Sequence, residues 1–326
     1  MLFTLKNTKS ENLHSCNYRG AHIVFIKTMN QTDNNTINIH IPSETATLKI
    51  VVTCFANPIV LRSILQNGGI DIPLLHQLWY NKFNFFYDYK KVIAQQLAFI
   101  ELMQSNGIEV LHAEPVIGCA TQHYTRDIGF AIDHIFFRAN PRRPYRQREL
   151  AGIKNIFTRV SNLATLDSGS IEGGDVIVDE KNIIVGLSEE TNRSGINCLC
   201  DKLAELGIAR EVVPIEFSHR GIIHLDTKFN IPAQGLGFIH PKSFKPASLK
   251  WLENNFDLIE ATDQETRQLE INTFALSPKK VVMRESSERL ASILAGKGIE
   301  PVLIDYSEVT KLPGSFRCTT LPLVRC

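Results

Sequence analysis

Apolar and polar residues alternate along this chain in short strand-like runs separated by longer amphipathic stretches, a pattern that sets in near residue 47. "LKIVVTCF" (48–55) is a β-branched apolar run of strand length. A helical pattern follows over roughly 87–106 and is closed by Gly107. "IEVLHAEP" and "IGFAIDHIFFR" each read as a strand, and "YRQRELAGIKNIFTRV" as the start of a basic helix. "DVIVDEKNIIVGL" predicts a hairpin with Asp179, Glu180, Lys181 and Asn182 in its turn. In "SEETNRSGINCLCDKLAELG", Ser188 is a candidate helix N-cap. The theme continues with helix "ASLKWLENN", strands "FDLIEA" and "KKVVMRE", helix "SSERLASILAGKG" and strand "PVLIDY".

This is an α/β pattern. A doubly wound parallel sheet is the ordinary expectation for it, but the hairpins require antiparallel pairing within the units. The glycine cluster "GSIEGGD" precedes a strand rather than a helix and does not match G-x-G-x-x-G, and there is no P-loop. A nucleotide-binding reading therefore has no motif behind it. Residues 1–46 are polar and rich in Asn and Thr. They are expected to form an N-terminal extension, partly disordered or with one strand around Ala21–Lys27, ahead of a single domain over 47–326.

Composition narrows the class. The 326 residues are 44% hydrophobic and 21% charged, enough for a substantial core in one large or two ordinary domains. A net charge of +1 gives no general attraction to nucleic acid or to an anionic membrane. No apolar run approaches the roughly 20 residues of a membrane span, and "MLFTLKNTKSENLHS" lacks the long apolar core of a secretory signal. Seven scattered cysteines, an odd count, do not make a disulfide framework. Cys198 and Cys200 form C-x-C, neither a zinc knuckle nor a thioredoxin motif. A reducing, cytoplasmic setting is expected.

Five stretches carry candidate chemistry: "TRDIGF", "IEGGD", "GLSEETNRSG", "HLDTKFN" and the terminal "PGSFRCTTLPLVRC". Each alone has a structural reading. Asp127 beside Arg126 reads as a surface pair, Glu-Gly-Gly-Asp as a turn, His-x-Asp as structural, and a buried Cys as a small hydrophobe. On an extended segment, His224 and Asp226 would point the same way. Together these residues offer more. A Cys, a His and several carboxylates supply a thiol nucleophile, a general acid/base and anionic clamps for a cation. A guanidinium is planar, permanently charged and forked, and carboxylates grip it bidentately. Once it is held, a thiolate can attack its central carbon, and a histidine can protonate the departing amine and then deprotonate water.

The motifs TRD, EGGD, HLDT and the near-terminal RCTTLPL, in that order, resemble the guanidine-modifying superfamily. That group comprises arginine deiminases, dimethylarginine dimethylaminohydrolases, arginine dihydrolases and amidinotransferases. The resemblance spans about residues 47–326. It implies a five-bladed α/β propeller (the pentein architecture) of ββαβ-type units around a central polar site. By motif, Cys318 corresponds to the nucleophile, His224 to the general acid/base and Glu172 to the carboxylate beside the histidine. Asp127 and Asp226 correspond to the guanidinium clamps, and Asp175 to a supporting carboxylate. An arginine of "RANPRRPYRQRE", with Arg143 favoured, is expected at the carboxylate end of the substrate. One departure stands out. Relatives often carry Ser-x-Arg-Thr after the hairpin, where this chain has Glu190 in "SEETNR"; Arg193 lies nearby, but on a helix it would face elsewhere. The implied activity is hydrolysis of the guanidinium of arginine or a derivative through a Cys thioimidate. Amidino transfer to an amine and non-catalytic guanidinium binding are the alternatives. The expected partner is a small guanidino compound, with no nucleic acid, membrane, cofactor or metal; a homodimer is left open.

Overall fold

The computed structural model describes residues 14–18, 21–25, 35–57, 88–116, 118–312 and 314–326. Residues Met1–Thr36 form one unit and Ile37–Cys326 another. In the first, β1 (His14–Tyr18) and β2 (Ala21–Phe25) make an antiparallel hairpin, so the one strand expected near Ala21 is a pair. Lys27, the end of that expected strand, lies outside the described residues.

The second unit repeats one device. Two strands pair antiparallel, and a third joins the second in parallel after a crossover, which parallel pairing requires. In chain order, β3 (Leu48–Thr53) pairs in parallel with β4 (Glu109–His112) across helix α1 (Tyr89–Ser105). Next come β5 (Gly129–Ile132), β6 (Ile135–Arg138) and β7 (Leu163–Thr165), with the short helices Pro144–Glu149 and Lys154–Phe157 in the crossover. The third group is β8 (Val176–Val178), β9 (Asn182–Leu187) and β10 (Glu211–Glu216), crossed by α2 (Arg193–Glu205). The fourth is β11 (Phe229–Ala233), β12 (Leu236–Ile239) and β13 (Asp257–Glu260), crossed by α3 (Pro246–Asn255). The fifth is β14 (Phe274–Ser277), β15 (Lys280–Arg284) and β16 (Glu300–Ile304), crossed by α4 (Glu288–Gly296). Finally β17 (Leu321–Arg325) returns to pair antiparallel with β3 and gives that first sheet its third strand. The result is five three-stranded sheets with one pairing pattern.

Local chemistry fixes the element ends. Asp88 caps α1 by accepting from the Lys90 and Lys91 amides, and Gly107, at φ +75°, closes it. The hairpin over 175–187 forms as expected. Two expectations are corrected. "IGFAIDHIFFR" is a hairpin rather than one strand, because Asp133 adopts φ +50° and turns the chain between β5 and β6. Ser188 does not cap α2; Asn192 does, accepting from the Gly195 amide. Residues 37–46 also belong to the core rather than to an extension. Ile37, Ile39 and Ile41 are buried, and Ile37, His40 and Ile41 bridge to Val160, Val324 and Asp133. Among the described residues no helix is long and apolar enough to cross a membrane.

A buried charge network ties this segment to the distant end of the chain. Arg317 donates from Nη2 to Glu44 Oε1 at 2.8 Å and from Nη1 to Asp226 Oδ2 at 2.8 Å. Arg126 Nη1 lies 3.7 Å from the same Glu44 oxygen. Burial alone would raise the Glu44 carboxyl, but Arg317, Arg126 and Arg325 hold it down at about 2, from an ordinary 4.5. Glu44→Gln leaves two buried guanidiniums short of a counter-charge and should cost about 3–5 kcal/mol in denaturant unfolding. Because the folded carboxyl is depressed, its contribution is present above pH 4.5 and is lost as pH falls toward 2. The variant's stability deficit should therefore shrink over that window; a pH-independent deficit contradicts the assignment.

Candidate active site

The site is built from the turns that precede β5, β8, β11, β14 and β17, the strand of each sheet that pairs antiparallel. Asp127 lies in a 3-10 turn (Thr125–Ile128) ahead of β5. Glu172 precedes, and Asp175 ends, the turn Gly173–Asp175 ahead of β8. His224 precedes the turn Leu225–Thr227, which carries Asp226 ahead of β11. Asn272 stands ahead of β14, and Cys318 ahead of β17. The His224–Asp226 segment is thus a tight turn rather than extended. Asp127, Glu172, Asp175, His224, Asp226 and Cys318 are all buried, so the surface-pair reading of Asp127 does not hold.

The imidazole is flanked on both nitrogens. His224 Nε2 lies 3.0 Å from Glu172 Oε2, and Nδ1 lies 3.6 Å from Asp127 Oδ1. This crowding requires Gly174: a Cβ there would meet the His224 ring at 2.6 Å and Asp127 Oδ1 at 2.8 Å. Burial opposes a charge on His224, but Asp127, Glu172 and Asp175 outweigh it and raise the imidazole well above 6.5. Burial also raises the Glu172 carboxyl, against the pull of His224 and Arg146. We assign the shared proton to His224, since two further acids face it, and the resting group is an imidazolium.

Asp127 and Asp226 are each held by a buried arginine. Arg146 Nη2 donates to Asp127 Oδ2 at 2.8 Å, and Arg317 Nη1 to Asp226 Oδ2 at 2.8 Å. Cys318, a free thiol, directs Sγ to Asp226 Oδ2 at 3.7 Å. Burial raises the thiol well above its ordinary value, and the Asp226 and Asp127 charges add to this, so the resting sulfur is protonated. Burial raises Asp226 too, partly offset by Arg317. Asp175 faces the protein. It accepts from the Leu225 amide at 2.9 Å and from Ser188 Oγ at 2.6 Å, and burial lifts it to about 7. It positions the peptide of His224 rather than lining an open space. Two carboxylate oxygens, Asp127 Oδ1 and Glu172 Oε1, are buried without a hydrogen-bond partner. A divalent cation could be reached by Asp127, Glu172 and His224 together, whose ligand atoms lie within 4.8 Å of one another. A cation bound there would have to displace the proton from His224.

Three residues escape sequence reading. Arg146 and Arg317 hold Asp127 and Asp226, and Asn272 accepts from the Cys318 amide at 3.3 Å while donating to the Asp226 carbonyl at 3.1 Å. Asn272 had one available signal, its place ahead of the first strand of a repeating unit. Arg143 is not directed at Asp127 or His224; its guanidinium grips Glu190, with Nε at 3.0 Å and Nη2 at 3.0 Å. Arg193 points to Glu216 at 3.0 Å, facing elsewhere as anticipated.

The sequence profile of arginine deiminases matches residues 122–252, the stretch holding Asp127, Glu172 and His224. The chain is 35% identical over 233 residues to the uncharacterized protein YkgA of Bacillus subtilis, covering 71% of this chain and 79% of that one. It is 24% identical to a dimethylarginine dimethylaminohydrolase of Streptomyces coelicolor over 238 residues, 72% of this chain and 87% of that enzyme. The structure of a dimethylarginine dimethylaminohydrolase from Pseudomonas aeruginosa, complexed with citrulline, superposes with a TM-score of 0.68 at 18% identity, covering 85% of this chain and 99% of that one. The mixed α/β fold is theirs, and the chain belongs to the guanidine-modifying superfamily of arginine deiminases, dimethylarginine dimethylaminohydrolases and amidinotransferases.

The ionisation state is directly measurable. In Glu172→Gln the imidazole loses an acid that raises it, and its NMR titration midpoint should fall by about one unit or more. An unchanged midpoint would show that Glu172 does not hold the proton on His224.

Proposed function

We propose that this protein hydrolyses the guanidinium group of arginine or an arginine derivative through a covalent Cys318 thioimidate. The observation that carries this reading is the pair of buried carboxylate oxygens that lack a hydrogen bond, Asp127 Oδ1 and Glu172 Oε1, on acids that also contact the His224 imidazolium, with the Cys318 thiol close to a further acid, Asp226. Such oxygens are costly to leave unpaired, and a planar forked cation is the ligand that satisfies both at once. The relatives named arginine deiminase and dimethylarginine dimethylaminohydrolase support the same class. The five sheets are read as blades of one closed propeller over a single catalytic unit, 37–326. Support comes from neighbours along the ring: β17 lies beside β5, β14 beside β3, β11 beside β14, and the turn before β8 beside those before β5 and β11.

The chemistry follows from the resting charges. A guanidinium bound among Asp127, Glu172 and Asp226 brings a positive charge to Cys318 and lowers its thiol. The Sγ–H proton has a first acceptor in Asp226, whose own proton affinity is raised by burial. The thiolate adds to the guanidinium carbon, forming a C–S bond and a tetrahedral adduct. The His224 imidazolium gives its proton to the departing nitrogen, the C–N bond breaks, and ammonia or an alkylamine leaves a thiouronium. Neutral His224 then takes a proton from water as the oxygen adds to the same carbon. Collapse breaks the C–S bond, the adduct's hydroxyl proton passes to the departing Cys318 sulfur as the ureido C=O forms, and Asp226 gives up the proton it took from the thiol to the departing amine or to solvent. Arg146 and Arg317 hold Asp127 and Asp226 in place, Asn272 anchors the Cys318 backbone, and Asp175 fixes the His224 turn.

Cys318→Ser should abolish turnover with the fold intact, since serine cannot supply the anion; activity within tenfold of wild type overturns the covalent route. His224→Ala should lose about 10² to 10⁴ in rate. Activity should survive EDTA, and a chelator-sensitive, zinc-restorable activity contradicts a purely protein-borne mechanism. Citrulline-type product with ammonia or methylamine marks hydrolysis. Product formed only when an amine such as glycine is added marks amidino transfer instead.

A further inference from the structure

We propose that Arg126, Arg317 and Arg325 form a buried binding site for a small monovalent anion, a halide such as chloride, behind the turn that carries Cys318. The inference does not depend on the guanidine chemistry proposed above.

Separate parts of the chain bring these cations together. Arg126 lies in the turn ahead of β5, Arg317 immediately precedes Cys318, and Arg325 ends β17. All are buried, at 4%, 1% and 1% exposure. Their common neighbour is Glu44. Arg317 Nη2 donates to Glu44 Oε1 at 2.8 Å, and Arg126 Nη1 lies 3.7 Å from the same oxygen. Arg325 Nη1 donates to the carbonyls of Ala46 at 2.7 Å and Ala275 at 2.9 Å, and its guanidinium carbon lies 5.1 Å from the centroid of the Phe274 ring. Two further bonds tie the cluster to the Cys318 turn. Arg126 Nε donates to the Arg317 carbonyl at 3.3 Å, and the Arg126 amide to the Cys318 carbonyl at 3.1 Å. The cations also feel one another. Burial holds Arg126 down to about 10 and Arg317 adds to this, while burial brings Arg325 to about 9, opposed by Glu44 and reinforced by Arg126 and Arg317.

The cluster is short of two things at once. The first is acceptors: Arg126 Nη2, Arg317 Nε, Arg325 Nε and Arg325 Nη2 are buried and hydrogen-bond to none of the described residues. Buried donors left in that state are costly. The second is negative charge. Glu44 and Asp226 are the acids that pull on these guanidiniums, and Asp226 also faces the His224 imidazolium. Three cations against two acids leave one positive charge uncompensated, in a place where buried charge needs a partner. A buried water meets the N–H groups but brings no charge. A monovalent anion meets both needs. The shortfall of one charge and the near-complete burial of all three side chains select a small, singly charged ion over a phosphate or a carboxylic acid.

The test measures thermal unfolding of the full chain, prepared in sodium gluconate and then titrated with sodium chloride or bromide at constant ionic strength. Gluconate is too large for the site, so screening is held fixed while the small anion varies. At about 0.1 M halide the melting temperature should stand about 3 °C or more above its value in gluconate, and the rise should saturate. Arg325→Gln, which removes one charge and the two unbonded nitrogens of Arg325, should lose that increment. Crystals of the wild-type protein grown in bromide should show an anomalous peak in contact with Arg126 and Arg325, a result that needs no variant to fold. Equal melting temperatures in halide and gluconate, an increment that survives Arg325→Gln, or bromide crystals without a peak among the three guanidiniums overturns the inference.

Discussion

Asp127, Glu172, Asp175 and Asp226 are removed from water around one imidazole, and acids gathered so closely cannot stay ionised unless cations are built in beside them. Arg146 and Arg317 are those cations, each 2.8 Å from the oxygen it holds. Their reach explains much of the fold around the site. Arg146 comes from the short helix after β6, and Pro144 at that helix's start lets it begin where the side chain can meet Asp127. Arg317 comes from the far end of the chain and joins Asp226 to Glu44 and to the Val176 carbonyl, three otherwise separate stretches. Each arginine takes one oxygen of its acid and leaves the other, so neutralising the acids does not fill the site.

The five-sheet arrangement gives that network its geometry. The turns ahead of β5, β8, β11, β14 and β17 each deliver their part: Asp127, Glu172, His224 with Asp226, Asn272 and Cys318. No single sheet holds a working set. Glycine matters at two positions of one of these turns for plain steric reasons. Gly173 has the Arg126 carbonyl 2.1 Å from where a Cβ would stand, and Gly174 has His224 in the same role. The two glycines of EGGD serve close approach between neighbouring turns rather than a left-handed bend.

Much of this was legible in the sequence where the signal is local. The apolar run of β3, the capped helix α1 and the 175–187 hairpin carry their period and turn residues within a dozen positions. The β5–β6 hairpin was not legible, because its turn is Asp133-His134, without the Gly, Asn or Pro that usually marks one. Ser188 has the right chemistry for a cap, but its hydroxyl is taken by Asp175, 13 residues away. The residue types that the structure gathers around His224 were recoverable from four ordered motifs. The arginines were not, because their acids lie 19 and 91 residues distant and nothing local distinguishes Arg143 from Arg146. Asn272 met the same obstacle, with Cys318 46 residues away. Segment 37–46 reads as polar by composition, yet its alternate isoleucines bury one face.

The pairing of β17 with β3 also has a consequence for the order of assembly. Leu321 lies opposite Val52, so the sheet that positions Cys318 joins stretches far apart in the chain, and closing so long a loop is slow. A chain in which that sheet is still open can gather Asp127, Glu172 and His224 without the sulfur beside them, so the thiol joins its surroundings only when β17 docks.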